Sequence, residues 1–313
     1  MKKLLMLFCM SIILTGCSDK VDEPKPNVSE NINDNYYPLI ITDATNKEIV
    51  IEEEPQTIIS LIPSNTEIAY SLGLGDKIIG VSGYDNYPED VLTKEKVTGL
   101  DVNVELIVSL NPDLVLTHES GINASLSSLE QIEQAGIDVV VVDDAQTFEE
   151  VYDTIYFVGE ITNKNNEAKE VVNGMKQHLK EIQEKIAPYE KEVTVYTEVS
   201  PEPSIFTVGK KTFIDEALNY LNVTNVFDEE GWLAIDSESV VLKNPDYIFT
   251  TYGYYIDNPI QVIKSRAGWQ DMTAIINDHV YDLDSDKVSR PGPRLIEGVE
   301  EFAKAIYPEA FKE

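Results

Sequence analysis

The chain has 313 residues, with 56 acidic side chains against 24 basic ones and a formal charge of −32 at pH 7. A balance this negative excludes nucleic acid as a partner, because its phosphates would be repelled, and it favours partners with basic groups. About 280 residues follow a polar N-terminal stretch, which is enough for two lobes with cores of their own.

The first residues have the parts of a secretory leader. Two lysines near the start precede an apolar run over residues 4–14, and residues 14–17 read Leu-Thr-Gly-Cys. The run is too short to span a bilayer. Leu-Thr-Gly-Cys resembles the bacterial lipobox, whose cysteine is lipidated and becomes the first residue of the mature chain. We therefore predict a lipoprotein signal peptide over 1–16 and a lipid on Cys17. The alternative is an ordinary signal peptide with an incidental cysteine.

Processing at this point changes both the thiol content and the charge. Cys9 would leave with the leader and Cys17 would be acylated, so no thiol would remain for a disulfide, a metal site or catalysis. Loss of the two lysines takes the formal charge from −32 to −34, which either attracts basic partners or only keeps the protein in solution. Residues 17–35 are polar and lack apolar periodicity, so we expect a lipidated tether on the extracellular face of the cell membrane.

Residues 36–145 alternate short apolar runs with helical patterns. Extended pieces at 39–43 and 48–51 flank the turn signal Thr-Asn-Lys, which predicts a hairpin. The apolar runs are typical of strands buried on both faces, and their alternation with helices indicates a parallel sheet. Strands are predicted at 57–61, 78–81, 114–116 and 139–142, and helices at 66–72 and 123–135. The whole segment is therefore predicted to be an N-terminal α/β lobe.

A helical region over 146–190 separates this lobe from a second one. Between residues 167 and 186 the apolar positions recur at intervals of three and four, which makes one stripe on a helix of roughly 30 Å. The stripe consists of Val171, Met175, Leu179, Ile182 and Ile186. Further strands are predicted at 193–196, 247–249 and 280–283. They place a C-terminal α/β lobe over 191–313.

One segment of each predicted lobe matches the other. Residues 105–117 align without a gap on 238–250 and share a glutamate, a valine three later, Asn-Pro-Asp from six later and a threonine twelve later. A polar residue two positions before each glutamate would cap a short helix, and Asn-Pro-Asp would end that helix before a strand. Glu105 and Glu238 thus fall in the first helical turn. An acid there favours the helix dipole and is also free to meet a partner.

These motifs together resemble a known family, the cobalamin- and iron-siderophore-binding proteins of ABC importers, and most of all its cobalamin-binding branch. The likeness covers nearly everything from Pro55 onward. It is carried by residues 55–67, 81–88, 105–113 and 136–139. The resemblance implies an α/β fold of two Rossmann-like lobes bridged by a single long α-helix. The ligand would occupy the cleft between the lobes, with little closure on binding.

In these relatives, one glutamate on each lobe pairs with arginines on the permease dimer. The expected partner is therefore a permease dimer together with its ATPase subunits. The matching positions here are Glu105 and Glu238. A two-fold related pair of acids suits a two-fold symmetric transporter, and surface ion pairs aid registration more than affinity. We therefore expect a monomer that docks on a permease through both glutamates.

Cobalamin-binding relatives line the cleft with aromatic side chains, which bury a flat macrocycle at small entropic cost. The positions that match ligand contacts are Tyr84, Trp232, Asp286 and Arg290. Core or loop packing is the alternative for the two aromatic residues. Two tryptophans of the family are absent, since Gly99 and Leu100 stand where one is expected and His118 stands near the other. These departures leave a ferric siderophore or haem as the alternative solute.

An enzyme and a metal-ion receptor are the rival classes of protein. The glycines at 73 and 75 lack the third glycine of a dinucleotide fingerprint, residues 209–212 lack the upstream glycine of a phosphate loop, and no nucleophile elbow is present. Direct metal binding needs clustered imidazoles. The three histidines, His118, His178 and His279, are far apart in the sequence. We therefore predict no catalytic residues, no metal and no cofactor.

The arginines bear on the choice of solute. An anionic siderophore complex would favour several arginines in the cleft, and the chain offers mainly Arg266, Arg290 and Arg294. Arg294 either serves the cleft or ties the final helix. The sequence therefore predicts an extracellular solute-binding lipoprotein of an ABC importer that captures cobalamin or a similar corrinoid, with a ferric-siderophore or haem carrier as the alternative.

Overall fold

The computed structural model describes residues 36–99, 101–189 and 191–312. The predicted leader at 1–16, the tether at 17–35 with Cys17, and Leu100 lie outside these residues. Within the described part, no helix is both long enough and apolar enough to cross a membrane.

The body of the protein opens with the predicted hairpin. Strand β1 (Leu39–Thr42) pairs antiparallel with β2 (Glu48–Ile51), with Leu39 opposite Ile51. The Asp43 carboxylate accepts the amides of Thr45 and Lys47 at 2.9 and 3.1 Å, which fixes the turn. The hairpin also reaches the first sheet, because the Ala44 amide donates to the Val141 carbonyl at 3.0 Å.

The N-terminal lobe is a five-stranded parallel sheet covered by helices. Its strands are β3 (Ile58–Ser60), β4 (Ile78–Ser82), β5 (Glu95–Thr98), β6 (Leu114–His118) and β7 (Asp138–Val142). Their order across the sheet is β5-β4-β3-β6-β7. The helices are α1 (Pro63–Ser71), α2 (Val104–Leu110) and α3 (Ile122–Gln134). The central strands β3 and β6 are buried throughout. This burial confirms the prediction, made from their apolar runs, that the sheet is covered on both faces.

Two helices carry the chain from the first sheet to the second. Helix α4 (Phe148–Ile161) begins with a capping box of Thr147 and Glu150, and α5 (Asn165–Ile186) follows after a short turn. Helix α5 has 22 residues, or about 33 Å at 1.5 Å per residue. Its buried stripe consists of Ala168, Val172, Met175, Leu179, Ile182 and Ile186. The predicted stripe differs at one position, since Val172 is buried and Val171 only half-buried.

The C-terminal lobe is a mixed sheet. Its strands are β8 (Thr194–Ser200), β9 (Phe206–Val208), β10 (Thr224–Asn225), β11 (Trp232–Ala234), β12 (Tyr247–Thr250) and β13 (Val280–Asp282). The order is β11-β9-β8-β12-β13, with β10 parallel to the start of β8. The three strands predicted from the sequence are β8, β12 and β13, whereas β9 and β11 were not predicted and pair antiparallel. Each of these two strands has only three residues, too few to show a sequence pattern.

Six helices complete this lobe. They are α6 (Phe213–Tyr220), α7 (Ser237–Lys243), α8 (Pro259–Lys264), α9 (Thr273–Ile276), α10 (Ser285–Ser289) and α11 (Leu295–Ile306). One apolar core runs through helices α1, α4, α5 and α11 and reaches both sheets. The predicted fold class is therefore confirmed, with two α/β lobes and one long helix, α5, between them.

The predicted internal repeat is confirmed in detail. Helices α2 and α7 each have seven residues, and each ends at an asparagine in the left-handed conformation, Asn111 at φ 47° and Asn244 at φ 44°. Their N-caps also match, because Asn103 accepts the amide of Leu106 at 3.0 Å and Asp236 that of Ser239 at 2.7 Å.

The aspartate of each Asn-Pro-Asp makes the same contacts. Asp113 Oδ2 accepts the amide and hydroxyl of Thr57 at 2.8 and 2.9 Å. Asp246 Oδ2 accepts the amide and hydroxyl of Thr194 at 2.9 and 2.8 Å. Each aspartate thus fixes the start of its lobe's central strand, β3 or β8.

Candidate functional site

A cleft of about 680 Å³ is lined by residues of both lobes. Its walls are formed where the parallel strands end. Tyr84 follows β4, His118 ends β6, Thr251 follows β12 and Ser285 follows β13. Crevices beyond the carboxyl ends of strands are the usual ligand sites of open α/β sheets, and this volume suits a bulky organic solute.

Three aromatic side chains lie open along the cleft. Tyr84 from the N-terminal lobe is 66 % exposed, and Trp232 and Tyr254 from the C-terminal lobe are 44 % and 77 % exposed. The Trp232 ring meets Phe213 edge-on at 6.1 Å. Tyr84 and Trp232 are thus brought to the same cleft, and neither is a core residue. Tyr254 was not predicted, because nothing in its local sequence separates it from the adjacent Tyr252 and Tyr255.

The other two predicted ligand contacts form a polar cluster at one wall. Arg290 Nη2 donates to Asp286 Oδ1 at 2.7 Å, and Arg290 Nη1 donates to Glu67 Oε1 at 2.5 Å and to Asn86 Oδ1 at 3.1 Å. Asn86 Nδ2 in turn donates to Asp286 Oδ2 at 2.6 Å. Asp286 and Arg290 belong to the C-terminal lobe, whereas Glu67 and Asn86 belong to the N-terminal lobe. The cluster therefore joins the lobes.

Arg294 belongs to the same cluster. Its Nε and Nη2 donate to Glu67 Oε2 and Oε1 at 2.9 and 2.7 Å, and its guanidinium lies 4.0 Å from the centre of the Tyr87 ring. Burial lowers the pKa of Arg294, but the hydrogen bonds that it donates to Glu67 more than offset this, so the pKa is raised overall. Since Arg294 immediately precedes α11, it ties that helix to α1 of the other lobe. The sequence left open whether Arg294 serves the cleft or ties the final helix, and its contacts are those of a residue that ties the helix.

The third arginine lies elsewhere. Arg266 donates to both oxygens of Glu198 at 2.6 and 2.8 Å, is buried with it inside the C-terminal lobe, and stacks 4.2 Å above Trp269. The hydroxyls of Tyr196 and Tyr252 each donate to Glu198 at 2.7 Å. Burial of Arg266 lowers its pKa, but the hydrogen bonds to Glu198 and the charge of that residue outweigh this effect, so the pKa of Arg266 is raised overall. Arg266 does not line the cleft.

The cleft itself carries little positive charge. Asp144, Asp286 and Arg290 are the charged residues that line it, which gives a formal charge of −1 if His118 is neutral. Burial lowers the pKa of His118, partly offset by Asp144 and Glu119, so the neutral form is favoured. A solute with several negative charges would therefore meet no unpaired cation on this lining.

His118 occupies a defined position at the cleft wall. Its Nδ1 lies 2.8 Å from Ser120 Oγ and accepts the Ser120 amide at 3.3 Å. His178 lies on α5, 3.8 Å from Glu300, and His279 stacks on Tyr247 at 4.3 Å. Among the described residues, no group of three or more histidine, cysteine and acidic side chains is placed to hold a metal ion.

The two departures from the cobalamin-binding pattern lie together. Gly99 and His118 border a recess of about 320 Å³ that shares Ile62, Pro63 and Tyr84 with the cleft. The first lobe therefore offers extra room beside the cleft.

Glu105 and Glu238 lie outside the cleft. Both are exposed, each in the first turn of its matched helix, α2 or α7. Neither lines the cleft. Their assignment to docking stays a prediction.

The cleft also contains residues that the sequence did not single out. Asn86 and Tyr254 line it, and the buried Glu67 lies behind its wall in contact with the cleft-lining Arg290. Glu67 and Asn86 lie within the motifs at 55–67 and 81–88, but their partners are about 200 positions away in the chain. No local spacing could have revealed those contacts.

Comparison with known proteins assigns the architecture to a family. A family model described as periplasmic binding protein matches residues 58–287. The chain is 44 % identical over 310 residues to an uncharacterised ABC transporter substrate-binding lipoprotein of Bacillus subtilis, YvrC, covering 98 % of this chain and 97 % of that one.

Two solved structures extend the comparison. A possible iron-binding (periplasmic solute-binding) protein of Staphylococcus epidermidis has 39 % identity and a TM-score of 0.75, covering 82 % of this chain and all of that one. The periplasmic vitamin B12 binding protein BtuF of Vibrio cholerae has 27 % identity and a TM-score of 0.65, covering 83 % and 99 %. With the family model spanning most of both lobes, the chain belongs to the periplasmic binding protein family.

Proposed function

We propose that this chain is the substrate-binding protein of an ABC importer and that its solute is cobalamin or a similar corrinoid. The observation that carries the proposal is the lining of the cleft, with exposed aromatic rings from both lobes and no unpaired cation on it. Tyr84, Trp232 and Tyr254 can cover the faces and edges of a broad, flat ring system. An empty cleft leaves these rings in water, and a macrocycle would cover them.

Charge separates the corrinoid from its rivals. Haem carries propionates and many ferric siderophore complexes are anionic, so both are served by cationic side chains. Arg290 and Arg294 already donate to Glu67, and Arg266 donates to Glu198. A solute with amide groups at its periphery requires only hydrogen bonds, which Asp286, Asn86 and Ser289 can provide at the wall. The likeness to the Vibrio cholerae vitamin B12 binding protein supports the same solute.

Haem is the second candidate, on one specific observation. His118 and Tyr254 reach the cleft from opposite lobes, and imidazole and phenolate are both axial ligands of haem iron. A Soret band that shifts in His118→Ala and Tyr254→Phe would support haem. We favour the corrinoid because the described cleft lining offers no free guanidinium for the propionates.

The proposed place of action is the outer face of the cell membrane, with lipid on Cys17 as the anchor. The similarity to a Bacillus subtilis protein named as a lipoprotein supports this location. Cys17→Ser should release the protein into the medium or block its maturation, as immunoblots of cell and medium fractions would show. Unchanged membrane retention and processing would contradict the anchor.

Tryptophan fluorescence tests the solute. The chain has two tryptophans. Trp269 is buried and Trp232 lines the cleft, so ligand quenching reports mainly on Trp232. We expect cyanocobalamin to quench saturably at one molecule per chain, with haemin and an anionic ferric chelate much weaker. Trp232→Phe should lose most of the signal, while Trp269→Phe should keep it.

A further inference from the structure

The contact between the lobes at the cleft wall centres on one carboxylate. Glu67 lies on α1 with its side chain 2 % exposed, and it accepts three hydrogen bonds from two arginines of the other lobe. Oε1 takes both Arg290 Nη1 and Arg294 Nη2, and Oε2 takes Arg294 Nε. Arginine stays protonated in proteins, so these guanidiniums are permanent charges that a buried carboxylate must balance.

The charges of the cluster balance only when Glu67 is included. Two guanidiniums face two carboxylates, those of Glu67 and Asp286. Of the two arginines, Asp286 forms an ion pair with Arg290, whereas Arg294 forms its ion pair with Glu67. Without Glu67, the wall would carry one uncompensated guanidinium beside the Tyr87 ring, next to the cleft-lining Arg290 and Pro291. A free guanidinium fork is well matched to a carboxylate or phosphate.

We propose that Glu67 determines the charge specificity of the cleft, holding Arg290 and Arg294 so that anionic solutes find no cation at the wall. This inference rests on the proposed function, because it explains why a solute without net negative charge is selected. Glu67 is a positioning residue, since its buried carboxylate acts on the solute only through the two arginines.

The same contacts give the specificity a fixed geometry. Asn86 bridges Arg290 and Asp286, so the cluster is held from both lobes by four residues besides Arg294. Replacing the carboxylate by an amide would leave one acceptor oxygen and introduce an NH₂ group that cannot face a guanidinium. Whichever way the amide turned, at least one arginine hydrogen bond would be lost, and the cluster would carry two guanidiniums against the single carboxylate of Asp286.

The test is the ratio of two affinities in Glu67→Gln. Calorimetric titrations of the wild type and the variant would use cyanocobalamin and an anionic ferric tricatecholate at low and high salt. We expect the variant to bind the ferric chelate about tenfold or more tightly than the wild type does, a gain of about 1.4 kcal/mol. High salt should remove most of this gain, because it screens the released charge. Cyanocobalamin affinity should change less than about threefold, as no aromatic contact is altered.

Glu198→Gln is the matched control. Glu198 is equally buried and also receives an arginine on both oxygens, but inside one lobe and away from the cleft lining. The substitution Glu198→Gln should lower the thermal stability without changing the ratio of the affinities for cyanocobalamin and the ferric chelate. A shift of the ratio in Glu198→Gln as large as in Glu67→Gln would mean that loss of rigidity, rather than a released cation, is responsible, and would overturn the proposal.

A compensated variant keeps the test independent of folding. Glu67→Gln/Arg294→Gln removes one charge of each sign, so its preference should return to that of the wild type. If folded Glu67→Gln shows no gain for the anionic chelate, the inference is wrong whatever the wild type binds. If the wild type binds no corrinoid while the variant still gains the chelate, the proposed function fails and the role of Glu67 stands.

Discussion

The two lobes are alike in one matched segment and unlike at the cleft. Segments 105–117 and 238–250 repeat the same helix, the same left-handed asparagine and the same aspartate contact to the first strand. At the cleft the lobes differ, since Trp232 lies on an antiparallel ribbon, β9 and β11, that the first lobe lacks. We expect the matched segments to suit a partner with two-fold symmetry and the unlike cleft to suit a solute that has none.

The glutamates of the repeat carry the largest predicted effect. Glu105→Ala/Glu238→Ala should nearly abolish uptake, because the second contact with a two-fold permease benefits from the first. Solute affinity should be unchanged, and each helix should lose at most about 1 kcal/mol of dipole stabilisation. Uptake assays paired with binding titrations would measure both.

Either single variant should retain partial uptake. Glu181→Ala/Glu184→Ala, which removes two exposed acids of α5, is the control and should leave uptake intact. Loss of solute binding in step with uptake would place Glu105 and Glu238 in the cleft and contradict the docking role.

The difference between the lobes at the cleft depends on Trp232. Trp232→Ala should weaken cobalamin binding by about 1–3 kcal/mol, because a stacked aromatic contact is lost while the ribbon remains. Phe206→Ala, on the neighbouring strand β9 and outside the cleft lining, is the matched control. Equal losses of affinity in the two variants by calorimetry would indicate disruption of the ribbon instead of loss of a ligand contact.

The repeated aspartates allow a stability test of the likeness. Asp113→Ala and Asp246→Ala each remove hydrogen bonds to a threonine amide and hydroxyl, and each should lower the free energy of unfolding by about 1–2 kcal/mol. Asp153→Ala, exposed on α4, should have little effect. If urea unfolding showed a large loss of stability for one variant and none for the other, the two matched contacts would not contribute equally to stability.

The smallest predicted effect concerns His118. Burial lowers its pKa below the ordinary value, so the unfolded chain binds a proton more readily than the folded one as the pH falls. The wild type should therefore lose stability relative to His118→Gln between about pH 7.5 and pH 5.5. Urea unfolding at both pH values measures the difference. A constant difference would contradict the assignment of a neutral, buried imidazole.

Much of the fold was predictable from the sequence because its signals are local. The buried strands at 58–60 and 114–118 are apolar runs, α5 shows a stripe over five turns, and the repeat is a match of residue types. Strands β9 and β11 were not predicted, because three residues are too few to show a hydrophobic pattern. The contact of Glu67 with Arg290 joins residues 223 positions apart, so only the fold brings them together.

The candidate site was predictable only in part. Tyr84, Trp232, Asp286 and Arg290 were found by resemblance and all line one cleft, while their roles towards a solute stay predictions. The sequence alone did not indicate that Arg290 is already engaged by three side chains. That engagement depends on how the lobes face each other, which composition and spacing do not encode.

The most direct test of the account is calorimetric competition on the wild-type protein. Cyanocobalamin would be titrated into protein alone, and into protein mixed in turn with equimolar haemin and with an equimolar anionic ferric chelate. We expect one tightly bound cobalamin per chain, with an affinity hardly affected by either competitor. Tight binding of the ferric chelate or of haemin together with no cobalamin binding would contradict it.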